Sequence, residues 1–329
     1  MIPVSIVTGF LGSGKTTLIG RILRASGYAR TAVIVNEFGE IGLDHDLIAH
    51  SDETLLALTT GCLCCSVRGD LVETLIALRL RRDAGEIEYD GVLIETSGLA
   101  DPAPILHALM TDPGLIADHA IDSVVTVADA LLGEATLTDH VEARRQVALA
   151  DLLVLSKTDL AGEAAGVRDR LAALNPAARI VPAGEVTPDL LFTPSDPAAR
   201  ALRLARVPEQ GGSPFDRGRH GDGIETFAIV RDAPLPALAL TLLLQALAEH
   251  CGVRLLRVKG LVDIAEMPGH PAVIHGVQHV FAPPDFLDRW PSADHTTRIV
   301  FITRDVPRHF PARLLTAIEA EVRDAAADF

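Results

Sequence analysis

The stretch that most restricts what this chain can fold into is Gly9-Phe10-Leu11-Gly12-Ser13-Gly14-Lys15-Thr16-Thr17. It follows a short apolar run at residues 4–7 and opens an amphipathic segment at residues 18–23, so it reads as strand, glycine loop, helix. Every fixed position of G-x-x-x-x-G-K-[ST] is filled, at Gly9, Gly14, Lys15 and Thr16. Glycines in such a loop let backbone N–H groups turn inward onto phosphate oxygens, and the helix N-terminus adds the positive end of its dipole. Lys15 is expected to neutralise the β- and γ-phosphates, and the Thr16 hydroxyl to ligate Mg²⁺. Gly9, Gly12, Ser13, Gly14 and Thr17 complete the expected phosphate-binding set.

A chain of 329 residues is expected to make about two domains. Its 44 acidic against 29 basic residues, a net charge of −15, argue against a nucleic-acid partner and against an anionic membrane surface. The first seven residues are too short and uncharged for a signal peptide, and no apolar run approaches the ~18 residues of a membrane span, so a cytoplasmic protein is expected. Only three lysines occur, Lys15, Lys157 and Lys259. Where arginine is used almost throughout, a lysine is expected at sites that need a compact ammonium.

Residues 31–35 read as a second buried strand, ending in an acidic, glycine-containing loop over residues 36–46. In a phosphate-loop enzyme a switch ordered by the γ-phosphate usually lies here, which makes Glu37, Glu40 and Asp44 candidate metal ligands. Residues 55–59 read as a short strand, residues 71–82 as a helix, and between them stand Cys62, Cys64 and Cys65. Three thiols this close can converge on one soft cation, Zn²⁺, Co²⁺ or Cu(I), with Glu40, His45 or solvent as a fourth ligand. A reducing compartment and adjacent spacing both disfavour disulfides.

Residues 91–98, Gly-Val-Leu-Ile-Glu-Thr-Ser-Gly, read as a buried strand ending in a carboxylate and then a glycine, the Walker B arrangement. Glu95 is expected to hold Mg²⁺ or polarise the attacking water, with Gly98 beside the phosphates. Asp101 reads as a helix cap before Pro102. Strands at 121–127 and 151–155 follow, separated by a helix at 140–150, and the second strand runs into Ser156-Lys157-Thr158-Asp159. This matches a guanine-recognition element: the Asp159 carboxylate accepts from the two N–H groups of the guanine edge, the Lys157 stem lies along the base, and adenine lacks the matching donors. A helix at 167–174 and a strand at 179–181 close a nucleotide-binding domain over residues 1–185. Residues 186–222 carry loop chemistry and read as a linker, and residues 223–329 read as a small α+β domain. There His275 and His279, an even number apart on one expected strand, are weaker candidates for metal ligation.

Gly9 to Thr17, Gly61 to Cys65, Glu95 to Gly98 and Ser156 to Asp159 together resemble the CobW family of P-loop GTPases. The Cys-x-Cys-Cys motif is the most specific mark, and Val258-Lys259-Gly260 and Gly276-Val277-Gln278-His279 look like that family's C-terminal domain. The resemblance implies an α/β P-loop NTPase fold with a mostly parallel sheet plus the smaller α+β domain. It also implies Mg²⁺-dependent GTP hydrolysis and Zn²⁺ or Co²⁺ at Cys62, Cys64 and Cys65. The expected role is a metallochaperone serving a client metalloprotein or a cobalamin-pathway component, with a homodimer left open; the alternative is a GTP-gated scaffold or regulator whose zinc is structural. The chain departs from the family in two places: Ser156 stands where asparagine is usual, and the linker carries only His220 where many relatives have a histidine run.

Overall fold

A computed structural model describes residues 1–24, 30–35, 55–57, 67–161, 165–192 and 223–327. The chain divides into two compact units, Met1–Ala172 with Ala178–Ser195, and Ala173–Ala177 with Asp196–Phe329.

Among the described residues the first unit is built on seven strands: β1 (Ile2–Thr8), β2 (Thr31–Val35), β3 (Leu55–Ala57), β4 (Gly91–Glu95), β5 (His119–Asp129), β6 (Leu152–Ser156) and β7 (Arg179–Pro182). They lie in the order β3-β2-β4-β1-β5-β6-β7, and every pairing is parallel. Parallel neighbours need crossover connections. These run through α1 (Lys15–Leu23), α2 (Val67–Asp83), α3 (Ala103–Thr111), α4 (Pro113–Ile116), α5 (Gly133–Asp139), α6 (Val141–Leu149), α7 (Thr158–Ala161) and α8 (Ala165–Leu174). All five residues of β4 and of β6 are buried, as in strands covered on both faces, which is why they read as unbroken apolar runs. From β1 the chain passes to β2 on one side and later to β5 on the other. The carboxyl end of β1 is therefore the topological switch point, where open parallel sheets bind ligands.

The first unit also takes in residues expected to begin the linker. A short helix, α9 (Pro188–Leu191), brings Leu191 fully into the core beside Val7, Leu18, Val33, Leu93 and Val154. The Leu191 carbonyl accepts a 2.5 Å hydrogen bond from the buried Ser5 hydroxyl. Phe192 fills the space over Gly91, where an added Cβ would stand 3.1 Å from its ring. Two apolar side chains inside loop-like composition thus belong to the sheet core. Leu191→Ala is expected to destabilise the protein by about 3 kcal/mol in urea unfolding, the range of a buried leucine deletion, where a linker residue would change it negligibly.

In the second unit β8 (Ile224–Arg231), β9 (Leu255–Val262), β10 (Ala272–Val277), β11 (Val280–Phe281), β12 (Asp285–Phe286) and β13 (Thr297–Arg304) form an antiparallel sheet. Its order is β11-β10-β9-β13-β8, with β12 also pairing β10. From α10 (Ala237–Cys251), Leu240, Leu243 and Leu247 at helical spacing pack on Val258, Ile274, Ile299 and Phe301, joined by Leu315 of α11 (His309–Ala327). The single strand expected to carry both His275 and His279 is in fact a hairpin: Val277 pairs with Val280, and Gln278 takes a left-handed φ of 54° at the turn. His275 lies on β10 while His279 sits exposed in the turn, so the shared face that the spacing predicted does not exist.

All eight residues of β9 are buried, including Arg257 and Lys259 on the face opposite Val258. Burial lowers Arg257 to about 9 and Lys259 to about 7. Burial, with the charges of Arg257 and Lys259 beside it, also holds His275, the register partner of Lys259, well below its ordinary value. The unfolded chain keeps the lysine proton up to about 10.5, whereas the folded sheet releases it near about 7. The unfolded state therefore binds more protons between those values, and stability rises with pH there. Urea unfolding at pH 7 and pH 9 is expected to show wild type gaining about 2 kcal/mol relative to Lys259→Met across that window.

Candidate active site

The loop between β1 and α1 is shaped by three glycines with positive φ, Gly9 at 144°, Gly12 at 70° and Gly14 at 93°. A Cβ on Gly9 would stand 2.9 Å from the Ser13 hydroxyl and 3.1 Å from the Val127 carbonyl carbon, so only glycine fits. Gly14 is the N-cap of α1 and offers no side-chain acceptor, and the first turn holds no acidic residue. The first N–H groups of α1 therefore have no side-chain cap and suit an anion. Lys15, itself buried, arches back so that Nζ donates to the carbonyls of Gly9 at 2.9 Å and Phe10 at 3.2 Å. The Phe10 ring stacks on His140 with centroids 4.3 Å apart.

Beside this loop β4 ends in Glu95, which is 2% exposed and accepts a 2.8 Å hydrogen bond from the Thr16 hydroxyl. Two oxygen donors at this separation, one of them a buried carboxylate, fit a hard cation such as Mg²⁺. The Thr96 N–H donates to the Val7 carbonyl at 2.9 Å and its hydroxyl to that of Thr8 at 2.8 Å, which ties the ends of β4 and β1 together. Gly98 then passes so close to the loop that a Cβ would stand 2.7 Å from the Leu11 nitrogen and 2.9 Å from its Cα. Fully buried Gln146 on α6 fixes this turn, its amide donating to the carbonyls of Gly98 at 3.1 Å and Ala100 at 3.0 Å. Sequence reasoning missed Gln146. Its one signal is a buried amide on a short helix between two apolar strands. Asp101 accepts from the Ala103 N–H at 3.0 Å, but the helix starts one residue later than expected, with Pro102 and not Asp101 at its N-cap.

At the end of β6 the Ser156 hydroxyl donates to the Ser13 carbonyl at 2.6 Å and to that of Ala128 at 3.3 Å. Where asparagine is usual, the shorter serine still ties this strand end to the phosphate loop. Lys157 adopts a left-handed φ of 55° and its ammonium pairs with Asp129 at the end of β5. Asp159 is exposed in the first turn of α7. A cavity of about 190 Å³ opens between the loop and α5, lined by Phe10, Gly12, Asp129, Leu132, Gln146 and Lys157 among others.

The expected metal ligands Glu37, Glu40, Cys62, Cys64 and Cys65, together with Asp44 and His45, lie outside the described residues. Among the described residues no group of three or more His, Cys, Asp or Glu side chains is arranged to hold a metal. Their one cysteine, Cys251, is buried at the end of α10. No helix among them is long and apolar enough to cross a membrane.

An anion-ready helix start at the switch point of a parallel sheet, with a buried carboxylate against the loop threonine, makes this chain a phosphate-loop nucleotide hydrolase. Two known domains account for most of its length, the CobW/HypB/UreG nucleotide-binding domain over residues 3–182 and the cobalamin synthesis protein CobW C-terminal domain over residues 224–319. The chain belongs to the CobW family of GTPases. It is 32% identical over 308 residues to the zinc chaperone YjiA of Escherichia coli, covering 93% of this chain and 95% of the relative. To the zinc chaperone CobW of Pseudomonas aeruginosa it is 34% identical over 346 residues, covering 93% and 88%. The crystal structure of the Zn(II)-bound YjiA GTPase from E. coli superposes with a TM-score of 0.73 at 26% identity, over 96% of this chain and 98% of that one.

The contact between Gly98 and Leu11 predicts that Gly98→Ala, with no change in backbone preference to confuse the result, displaces the phosphate loop. Titration with a fluorescent GTP analogue is expected to show binding weakened at least about tenfold, or about 1.4 kcal/mol, in a protein whose thermal unfolding stays cooperative.

Proposed function

We propose that this GTPase is a metallochaperone that takes Zn²⁺, or Co²⁺, as cargo on Cys62, Cys64 and Cys65 and passes it to a client metalloprotein or cobalamin-pathway component as GTP is hydrolysed. The observation that carries this reading is the strand order β3-β2-β4-β1. In it Val35 of β2 pairs with Ala57 of β3 on one side and with Glu95 of β4 on the other. Neighbouring strands lie about 4.8 Å apart, so the chain leaves for Glu37 and Glu40, and for the three cysteines, from strand ends about 5–10 Å from Glu95. Cys62 follows Ala57 by five residues, a reach of at most about 18 Å. That reach would allow the thiols to approach the phosphate site. The zinc chaperones among the relatives support the same cargo.

In this reading Lys15 leaves the Gly9 and Phe10 carbonyls to neutralise the β- and γ-phosphates. The loop N–H groups from Gly12 to Thr17 and that of Gly98 hold the phosphate oxygens. Thr16 and Glu95 hold Mg²⁺, which supplies charge neutralisation on the leaving phosphates. Glu95 also orients the attacking water, Glu37 and Glu40 respond to the γ-phosphate, and Ser156, Lys157 and Asp159 seat the guanine.

Two measurements test this. GTP is expected to be turned over in preference to ATP, and Asp159→Asn to lower kcat/KM for GTP about 10- to 100-fold, the worth of a charged hydrogen bond at roughly 1.5–3 kcal/mol. Zinc affinity is expected to differ between the GTP-analogue and GDP states, and to be lost in the variant with all three cysteines changed to serine while GDP binding persists. A swing from nearly full to nearly empty needs about 10⁴-fold differential affinity. Equal zinc affinities with GTP analogue, GDP and no nucleotide would remove the delivery mechanism and leave a GTPase with bound metal.

A further inference from the structure

Asp129 is the last residue of β5, 7% exposed, and lies directly across from Ser156 in the parallel register. One carboxylate oxygen accepts from the backbone N–H groups of Leu131 at 2.8 Å and Leu132 at 3.3 Å, which closes the turn into α5. The other takes the Lys157 ammonium. Burial alone would raise the Asp129 carboxyl, but the hydrogen bonds from Lys157 and from the two backbone N–H groups outweigh it and hold the group below its ordinary value. Lys157, in an unfavourable left-handed backbone, therefore has its head anchored on a rigid carboxylate while its four-carbon stem spans from β6 to β5 at the edge of the phosphate loop.

We propose that Asp129 is a positioning residue for the nucleobase: by holding the Lys157 head, it fixes the lysine stem as a flat apolar floor on which the purine rests. The pairing also occupies the Lys157 ammonium. Its place at the end of a buried strand, with its other oxygen held by the Leu131 and Leu132 N–H groups, makes the anchor stiff. The proposal rests on the reading above that Lys157 lies under the base.

Asp129→Asn separates the two tasks of the side chain. The amide oxygen still accepts from the Leu131 and Leu132 N–H groups, while its NH₂ replaces the oxygen that faced Lys157. The full chain is to be titrated with GDP, ADP and inorganic tripolyphosphate, each with Mg²⁺. The expected result is a loss of about tenfold in GDP affinity with less than a twofold change for tripolyphosphate, which has no base to seat. In a Lys157→Met background, where an uncharged stem remains, Asp129→Asn is expected to change GDP affinity less than twofold. Asp129→Ser, whose hydroxyl can close the turn but does not reach Lys157, serves as a second variant should the asparagine protein fail to fold. Equal losses for GDP and tripolyphosphate, an unchanged GDP affinity, or an undiminished effect in the Lys157→Met background would each overturn the proposal. Wild-type preference for ADP over GDP would instead overturn the guanine reading, and the comparison of ADP with tripolyphosphate would then decide the role of Asp129.

Discussion

The start of α1 is a helix end with no cap of its own, and the surrounding structure follows from that. A helix needs something to satisfy its first N–H groups, and usually a serine, threonine or aspartate does so. Gly14 supplies no such side chain. The local arrangement is therefore unfavourable alone and is held by its neighbours. Val127 crowds Gly9 from one side, Leu11 meets Gly98 on another, and the Ser156 hydroxyl grips the Ser13 carbonyl from below. Each contact comes from a different strand end of the same sheet. A parallel sheet brings those ends to one edge, and the anion site is a property of that edge more than of the glycine motif itself.

What could be read from residues alone was the chemistry confined to short stretches. The phosphate loop, the Glu95 strand and the Ser156 to Asp159 turn each carry their signal within nine residues or fewer, and the apolar runs of β2, β4 and β6 mark strands that the structure contains. The contacts that assemble the site are different. Gln146 reaches Gly98 across 48 positions, Lys157 reaches Asp129 across 28, and Ser5 reaches Leu191 across 186. No local pattern encodes these partners, because an aspartate after a strand looks the same whether it caps a turn or anchors a lysine. His275 and His279 failed for a related reason: periodicity assumes that the strand continues, and a two-residue turn at Gln278 reverses it.

In the second unit the two faces of the buried strand β9 carry different chemistry. One side of β9 joins a conventional apolar core of leucines from α10 and α11, while the other buries two cationic side chains beside a histidine kept neutral. Desolvated charge is tolerated in proteins where it is matched or where it specifies a unique arrangement. Arg257 and Lys259 both make further interactions.

The central position of β1 also governs the order in which the molecule can be assembled. Residues 9–17 are made before the strands that flank them: β1 has no partner until Val92 and its neighbours arrive, and its second edge stays open until residues 119–126 follow. The core beneath it is sealed later still, by Leu191. Long-range pairing of this kind is slow, and unpaired strand edges favour aggregation while they wait. The nucleotide-binding loop is thus made well before the strands that give it its shape, and the growing chain carries an open parallel edge over that interval.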